Sequence, residues 1–467
     1  MDILNHSATE LALLYRRKRL SPVEVCRASI VAIHSCNPVI NAFQHVDEAA
    51  SLDQARDSEA RWMTGAPLGP LDGVPCTIKD NLLTAGWPTR SGSRTVDPSG
   101  PWTEDAPAVA RLRESGAVLL GKTTMPEFAW KVTTDAPLFG VTRNPWNPAV
   151  TPGGSSGGAA AATACGMGVL ALATDGGGSI RVPASRCGLV GLKPTHGRVS
   201  DYPPSRFGTH SNVGPITRTV ADCAAMMNAI AWPDSRDWYA LPYDGDDFGA
   251  GLSLGASGLR IGVSLDFGSG CAVDREIAAY VHQAAGVFAD LGAHVEALAF
   301  PPELYREGAR AYEVARSAML ATLLRQIPAE RHALMDPELV RAAQSSSDDI
   351  DVARYVDAEH SRRLCGMRIN RLFERYDLLL CPTIHTLAEP VGEPAPQPWL
   401  TMLFNGSRHP ALSMPCGMSA AGVPIGVQLI GPHYAEATLL RAAAAFEAAR
   451  PFEALPIGRP LARIEDE

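Results

Sequence analysis

Two glycine–serine loops and one lysine carry most of the chemistry legible in this sequence. The loops are Gly153-Gly154-Ser155-Ser156-Gly157-Gly158 and Asp175-Gly176-Gly177-Gly178-Ser179-Ile180-Arg181, and Lys79 follows the apolar run Gly73–Ile78. Three consecutive glycines let the backbone turn its N–H groups inward, which is what the oxyanion of a tetrahedral acyl intermediate needs. Ser179, at the end of that loop, is then placed as a nucleophile beside its own oxyanion hole, built from Gly176, Gly177 and Gly178. A serine hydroxyl attacks poorly unless a neighbouring base takes its proton. No histidine or aspartate is compellingly placed for this, so Lys79 is the candidate base, provided burial keeps its amine neutral. Ser155 sits on a loop flexible enough to carry its hydroxyl between the two and relay the proton.

The lysine count sharpens that choice. Five lysines (Lys18, Lys79, Lys122, Lys131, Lys193) stand against 36 arginines, and four of the five lie between positions 79 and 193. An amine can lose its proton when buried and a guanidinium cannot, so a chain that otherwise uses arginine can reserve lysine for that property. Two other motifs have the letters of chemistry without its context. Gly116-Ala117-Val118-Leu119-Leu120-Gly121-Lys122-Thr123 spells a phosphate-binding loop, but a helix precedes it and its middle reads as a strand. Gly153-Gly154-Ser155-Ser156-Gly157 spells a nucleophile elbow, but turn residues lead into it where a strand is required. The twelve histidines show no ligand spacing, so no metal is expected.

The frame that must position these groups is an α/β one. The chain has 467 residues, 46% of them hydrophobic and 19% charged, which gives ample core and excludes bulk disorder. A net charge of −9 argues against a protein that binds nucleic acid by neutralising phosphates. Ten cysteines without a C-x-x-C pair, and no secretory leader pattern, fit reduced thiols and a cytoplasmic location. The longest apolar run, 159–173, is rich in Ala and Gly and too short to span a membrane. Capping boxes at Ser7 and Ser21 open two helices, and strands are expected at 73–78, 117–120, 169–173, 189–192, 259–264, 294–298, 378–381, 411–415 and 423–430. Helices fall between most of them. This alternation predicts one domain over 1–467, with a single large mixed β-sheet covered by helices on both faces.

The motifs resemble the amidase signature family of Ser-Ser-Lys hydrolases. The likeness rests on the lysine strand, the two glycine–serine loops, Val182-Pro183-Ala184, Cys187 to Arg198, Arg143 to Asn147, Val213-Gly214-Pro215, Cys381-Pro382-Thr383 and Gly422 to Gly431. It covers most of the chain and is weakest over 232–378. It implies that Ser179 is the acyl-enzyme nucleophile, Ser155 a bridging serine often held by a cis peptide bond, and Lys79 the base. Gly176, Gly177 and Gly178, with the Ser179 N–H, become the oxyanion hole. Asp175 and Arg181 become a structural pair, Ser156 a hydrogen-bonding neighbour of the relay, and Lys122 and Lys193 structural lysines. Residues 70–200 form the catalytic segment and 232–378 shape the substrate pocket. The expected activity is hydrolysis of a small apolar or aryl carboxamide, without cofactor, nucleic acid or membrane, by a stand-alone enzyme that could be a homodimer. The alternative is the glutamine-hydrolysing subunit of a tRNA-dependent amidotransferase. Trp87, Phe128, Trp130, Phe139 and Phe404 are the aromatic residues expected to line the pocket.

Overall fold

A computed structural model describes residues 3–394, 396–452 and 455–458. The strands are β1 (Phe43–Val46), β2 (Pro75–Lys79), β3 (Val118–Thr123), β4 (Asp135–Ala136), β5 (Gly140–Val141), β6 (Leu170–Asp175), β7 (Val190–Lys193), β8 (Asn212–Thr217), β9 (Arg260–Val263), β10 (His294–Ala297), β11 (Leu378–Pro382), β12 (Ala411–Met418) and β13 (Pro424–Ile430). The helices are α1 (Ala8–Arg16), α2 (Pro22–Ile40), α3 (Glu48–Thr64), α4 (Pro107–Glu114), α5 (Gly157–Ala164), α6 (Arg181–Cys187), α7 (Val220–Ile230), α8 (Arg275–Asp290), α9 (Pro302–Gln326), α10 (Pro337–Asp349), α11 (Val352–Leu372), α12 (Met402–Gly406) and α13 (Glu436–Ala449). Eleven strands form one mixed sheet in the order β1-β3-β2-β6-β8-β7-β12-β13-β11-β9-β10, and β4 and β5 make a separate hairpin. Strand β2 runs parallel to both β3 and β6, whereas β6 meets β8 antiparallel.

Side-chain alternation divides the sheet between two helical layers. Cys76, Ile78, Leu119, Leu170 and Leu172 enter one core with α1, α4, α7, α8 and α13. Val118 and Leu120 point the other way, towards α2, while Ala171 and Ala173 meet the alanines of α5. On β2, Thr77 and Lys79 therefore leave the face opposite Cys76 and Ile78, on the side where α5 packs. The Gly/Ala composition of α5 follows from how close it comes: a Cβ on Gly158 would lie 2.3 Å from Thr124 Oγ1 and 2.5 Å from the Thr124 backbone nitrogen. Both expected capping boxes are present, at Ser7 with Glu10 and at Ser21 with Glu24. The ten cysteines stand as free thiols. Helices α9 and α10, between β10 and β11, share a small core of Leu320, Leu323, Leu324, Met335, Leu339 and Ala343, with Phe128 and Trp130 packed against it. Among the described residues no helix is long and apolar enough to cross a membrane.

Candidate active site

The three residues taken from separate motifs converge. Strand β2 delivers Lys79 fully buried, with its Nζ 2.7 Å from Ser155 Oγ and 2.9 Å from Thr174 Oγ1. The Thr174 carbonyl lies 3.4 Å from the same amine. Ser155 follows a cis Gly154–Ser155 peptide, and α5 starts two residues later. Ser156 donates its hydroxyl to the Thr174 carbonyl at 3.1 Å and its N–H to the Ser179 carbonyl at 3.2 Å, which ties the two glycine–serine loops together. Burial pushes the Lys79 amine down to about 7, against the opposing charge of Asp175. The shift favours the neutral amine. Lys122 and Lys193 are buried too, and burial lowers them to about 8 and about 7, but they serve other places. Lys122 donates to Leu82 O and, at 2.8 Å, to Thr89 Oγ1, and Lys193 donates to Pro194 O.

The loop carrying Ser179 is held by a buried ion pair. Arg181 grips Asp175 with two bonds of 2.9 Å and reaches on to Thr401 O, Gln428 Oε1 and Asn405 Oδ1. Burial alone would raise the Asp175 carboxyl, but the Arg181 charge and hydrogen bonds hold it well below the ordinary range. Asp175 also accepts the N–H groups of Gly178 at 2.7 Å and Ile180 at 3.1 Å. This corrects one expectation: the Gly178 N–H is already committed inside the loop, so it is not free for an oxyanion. Among the described residues the N–H groups of Gly176, Gly177 and Ser179 donate to nothing. The glycines are sterically required, since a Cβ on Gly177 would lie 2.0 Å from Tyr312 Oη and one on Gly178, at φ +132°, 2.3 Å from Thr401 Oγ1.

Ser155, Thr174, Gly176, Gly177 and Ser179 open onto a cavity of about 680 Å³. Its apolar wall holds Phe128, Trp130, Phe207, Tyr312 and Met319. Of the five aromatic residues expected there, Trp87 and Phe404 are core residues, and Phe139 does not reach the cavity either. Phe207 and Tyr312, packed edge to face at 5.2 Å, take their place. Sequence reasoning missed them because Tyr312 sits on α9 in the least family-like region, and Phe207 in a loop without a motif. It also missed Thr174, Thr401 and Asn405, whose partners are set by the fold. Among the described residues no group of three metal-binding side chains occurs.

The family is fixed by comparison with known proteins: residues 24–440 match the model of the Amidase family, and the chain belongs to it. In sequence it is similar to the A subunit of glutamyl-tRNA(Gln) amidotransferase from Moorella thermoacetica, with 39% identity over 478 residues covering 96% of this chain and 97% of that one. In structure it is similar to a bacterial aryl acylamidase of the amidase signature family, at a TM-score of 0.89 and 33% identity, covering 98% of this chain and 99% of that one. The corresponding amidotransferase protein of Thermotoga maritima superposes at a TM-score of 0.81 with 30% identity, covering 98% and 97% of the two chains.

Proposed function

We propose that this protein hydrolyses a small apolar or aryl carboxamide through a Ser179 acyl-enzyme, without a partner protein. The observation that carries the reading is the fully buried Lys79 amine, 2.7 Å from Ser155 in the wall of the cavity that also holds Ser179. Neutral Lys79 has two N–H groups and one lone pair. Thr174 O and Thr174 Oγ1 accept the two protons, which leaves the lone pair for the Ser155 hydroxyl. Among the described residues no hydrogen bond joins Ser155 Oγ to Ser179 Oγ, so the chain closes when the Ser179 hydroxyl turns about χ1 towards Ser155.

Ser179 Oγ then attacks the amide carbon as its proton passes to Ser155 and the Ser155 proton passes to Lys79. The oxyanion takes the N–H groups of Gly176, Gly177 and Ser179. The C–N bond breaks as the same chain, run in reverse, protonates the leaving nitrogen, and water attacking the acyl-enzyme releases the acid. Asp175 and Arg181 keep the nucleophile loop in shape. Residues 232–378 shape the pocket through Tyr312, Met319 and the start of α10, and their aromatic and thioether surface suits an apolar acyl or aryl group. The 39% identity to an amidotransferase component favours the second reading, glutamine hydrolysis inside a complex. The test is ammonia or amine release by the purified protein alone, across anilides, aryl and alkyl carboxamides and glutamine. Turnover of the first groups, absent in Ser179→Ala, supports the amidase; activity on glutamine alone, rising with a partner from cell extract, supports the second reading.

A further inference from the structure

One cation in the cavity wall makes no hydrogen bond among the described residues and only a long ion pair. Lys131 is clamped between Asp135 at 2.6 Å and Asp336 at 3.2 Å. Arg316 differs. Its side chain is only 23% exposed, and its nearest carboxylate, Glu313, stands 3.8 Å away, beyond hydrogen-bond range. Among the described residues none of its five N–H donors is used. Arg316 follows Tyr312 by one turn of α9, and both line the cavity. Tyr312 Oη lies against Gly177 in the nucleophile loop, so the guanidinium stands roughly one helical pitch, about 5–6 Å, farther along the wall. The other acidic groups lining the cavity, Glu338 at 63% exposure and Glu393, are at the solvent rim. Asp135 and Asp336 also line the cavity but are engaged by Lys131, which leaves Arg316 as the cation of the wall that makes no hydrogen bond.

The geometry points to a carboxylate subsite at Arg316: the amide hydrolysed here carries an anionic carboxylate a few bonds from the scissile carbonyl, with an apolar linker between. This rests on the hydrolytic reading above and narrows its substrate class. A planar guanidinium with free paired donors matches a carboxylate bidentately. Glutamine also bears a carboxylate near its amide, so the chemistry is shared with that source, and the length of the linker tells them apart.

The probes are ω-carboxylate primary amides of three to seven carbons between termini, each paired with an uncharged isostere ending in an isopropyl group, together with glutamine and an ω-ammonium amide. The expected result is a preference for the carboxylate member at one chain length, with its kcat/KM at least about tenfold above the isostere. In Arg316→Leu that ratio should fall about 10- to 100-fold, and Arg316→Lys should restore part of it, because lysine supplies charge without the fork. A ratio near one at every length, a ratio unchanged by Arg316→Leu, or preference for the ammonium amide overturns the subsite. Binding to Ser179→Ala, with and without Arg316→Leu, separates the two levels. Arg316-dependent binding without turnover in the parent keeps the subsite and removes the hydrolytic reading; no Arg316-dependent binding removes the subsite whatever the turnover.

Discussion

Replacing Lys79 by methionine separates catalysis from folding, because in the proposed mechanism the same buried amine serves one and opposes the other. The amine falls from its ordinary 10.5 to about 7, a shift worth about 1.4 kcal/mol per unit, so the charged form is disfavoured by roughly 5 kcal/mol. The folded protein therefore binds fewer protons at this site than the unfolded chain does. Stability should rise with pH from about 7 to about 10.5, and the full cost should be felt below 7. Methionine removes the cost but leaves Thr174 and Ser155 short of a partner, which takes back about 1–3 kcal/mol at every pH. The slope is thus more telling than the intercept. In denaturant unfolding, the difference between Lys79→Met and the parent should shift in favour of the parent by about 3–4 kcal/mol between pH 6.5 and 9.5. Lys193, Asp201 and Glu447, which burial places at about 7 as well, are common to both proteins and cancel. In the parent, kcat/KM should fall about tenfold per unit below pH 7, and Lys79→Met should lose at least about a thousandfold. A flat profile down to pH 5.5, or a parallel pH dependence of stability in the two proteins, would refute the assignment.

Ser179→Ala should abolish amide turnover with melting temperature unchanged within a few degrees, and Ser155→Ala/Ser179→Ala should be no worse than Ser179→Ala, as expected of residues that act as one unit. Gly158→Ala should cost about 1–3 kcal/mol in denaturant unfolding, because its methyl would meet the Thr124 backbone rather than a movable side chain. Arg181→Met should cost about 3–5 kcal/mol by leaving Asp175 charged and buried without its partner. Unfolding free energies within 0.5 kcal/mol of the parent would refute either statement. Trp130→Ala should raise KM for aryl amides more than for acetamide in initial-rate assays, and equal changes would remove it from the pocket wall.

The two central segments were legible because local signals and global fold agree there. Ser7 and Ser21 cap helices wherever those helices go, and the run before Lys79 has too few polar residues to be anything but a buried strand. The rarity of lysine was informative: Lys79, Lys122 and Lys193 are all fully buried. Other elements hid behind residues with contrary preferences. Strand β8 holds Gly214 and Pro215 in mid-sheet, and α6 begins two residues after Ser179 with Pro183 in its first turn, so neither declares itself by periodicity. The Gly178 N–H could not have been excluded from the expected oxyanion hole by sequence, since a run of three glycines does not reveal which of them turns inward to Asp175. The pocket aromatics failed for a similar reason: Trp87 and Phe404 satisfy the same composition as Phe207 and Tyr312, and only the fold decides which face a cavity.

The small core shared by α9 and α10 holds no residue of β2, which ends in Lys79, or of β6, which leads into the Ser179 loop. Phe128 and Trp130, from the segment after β3, pack against it, so the cavity wall joins this core to the first half of the chain. A change among Leu320, Leu324 or Met335 should therefore re-aim Tyr312, Arg316 and Met319 over the cavity before it disturbs the β2–α5–β6 frame.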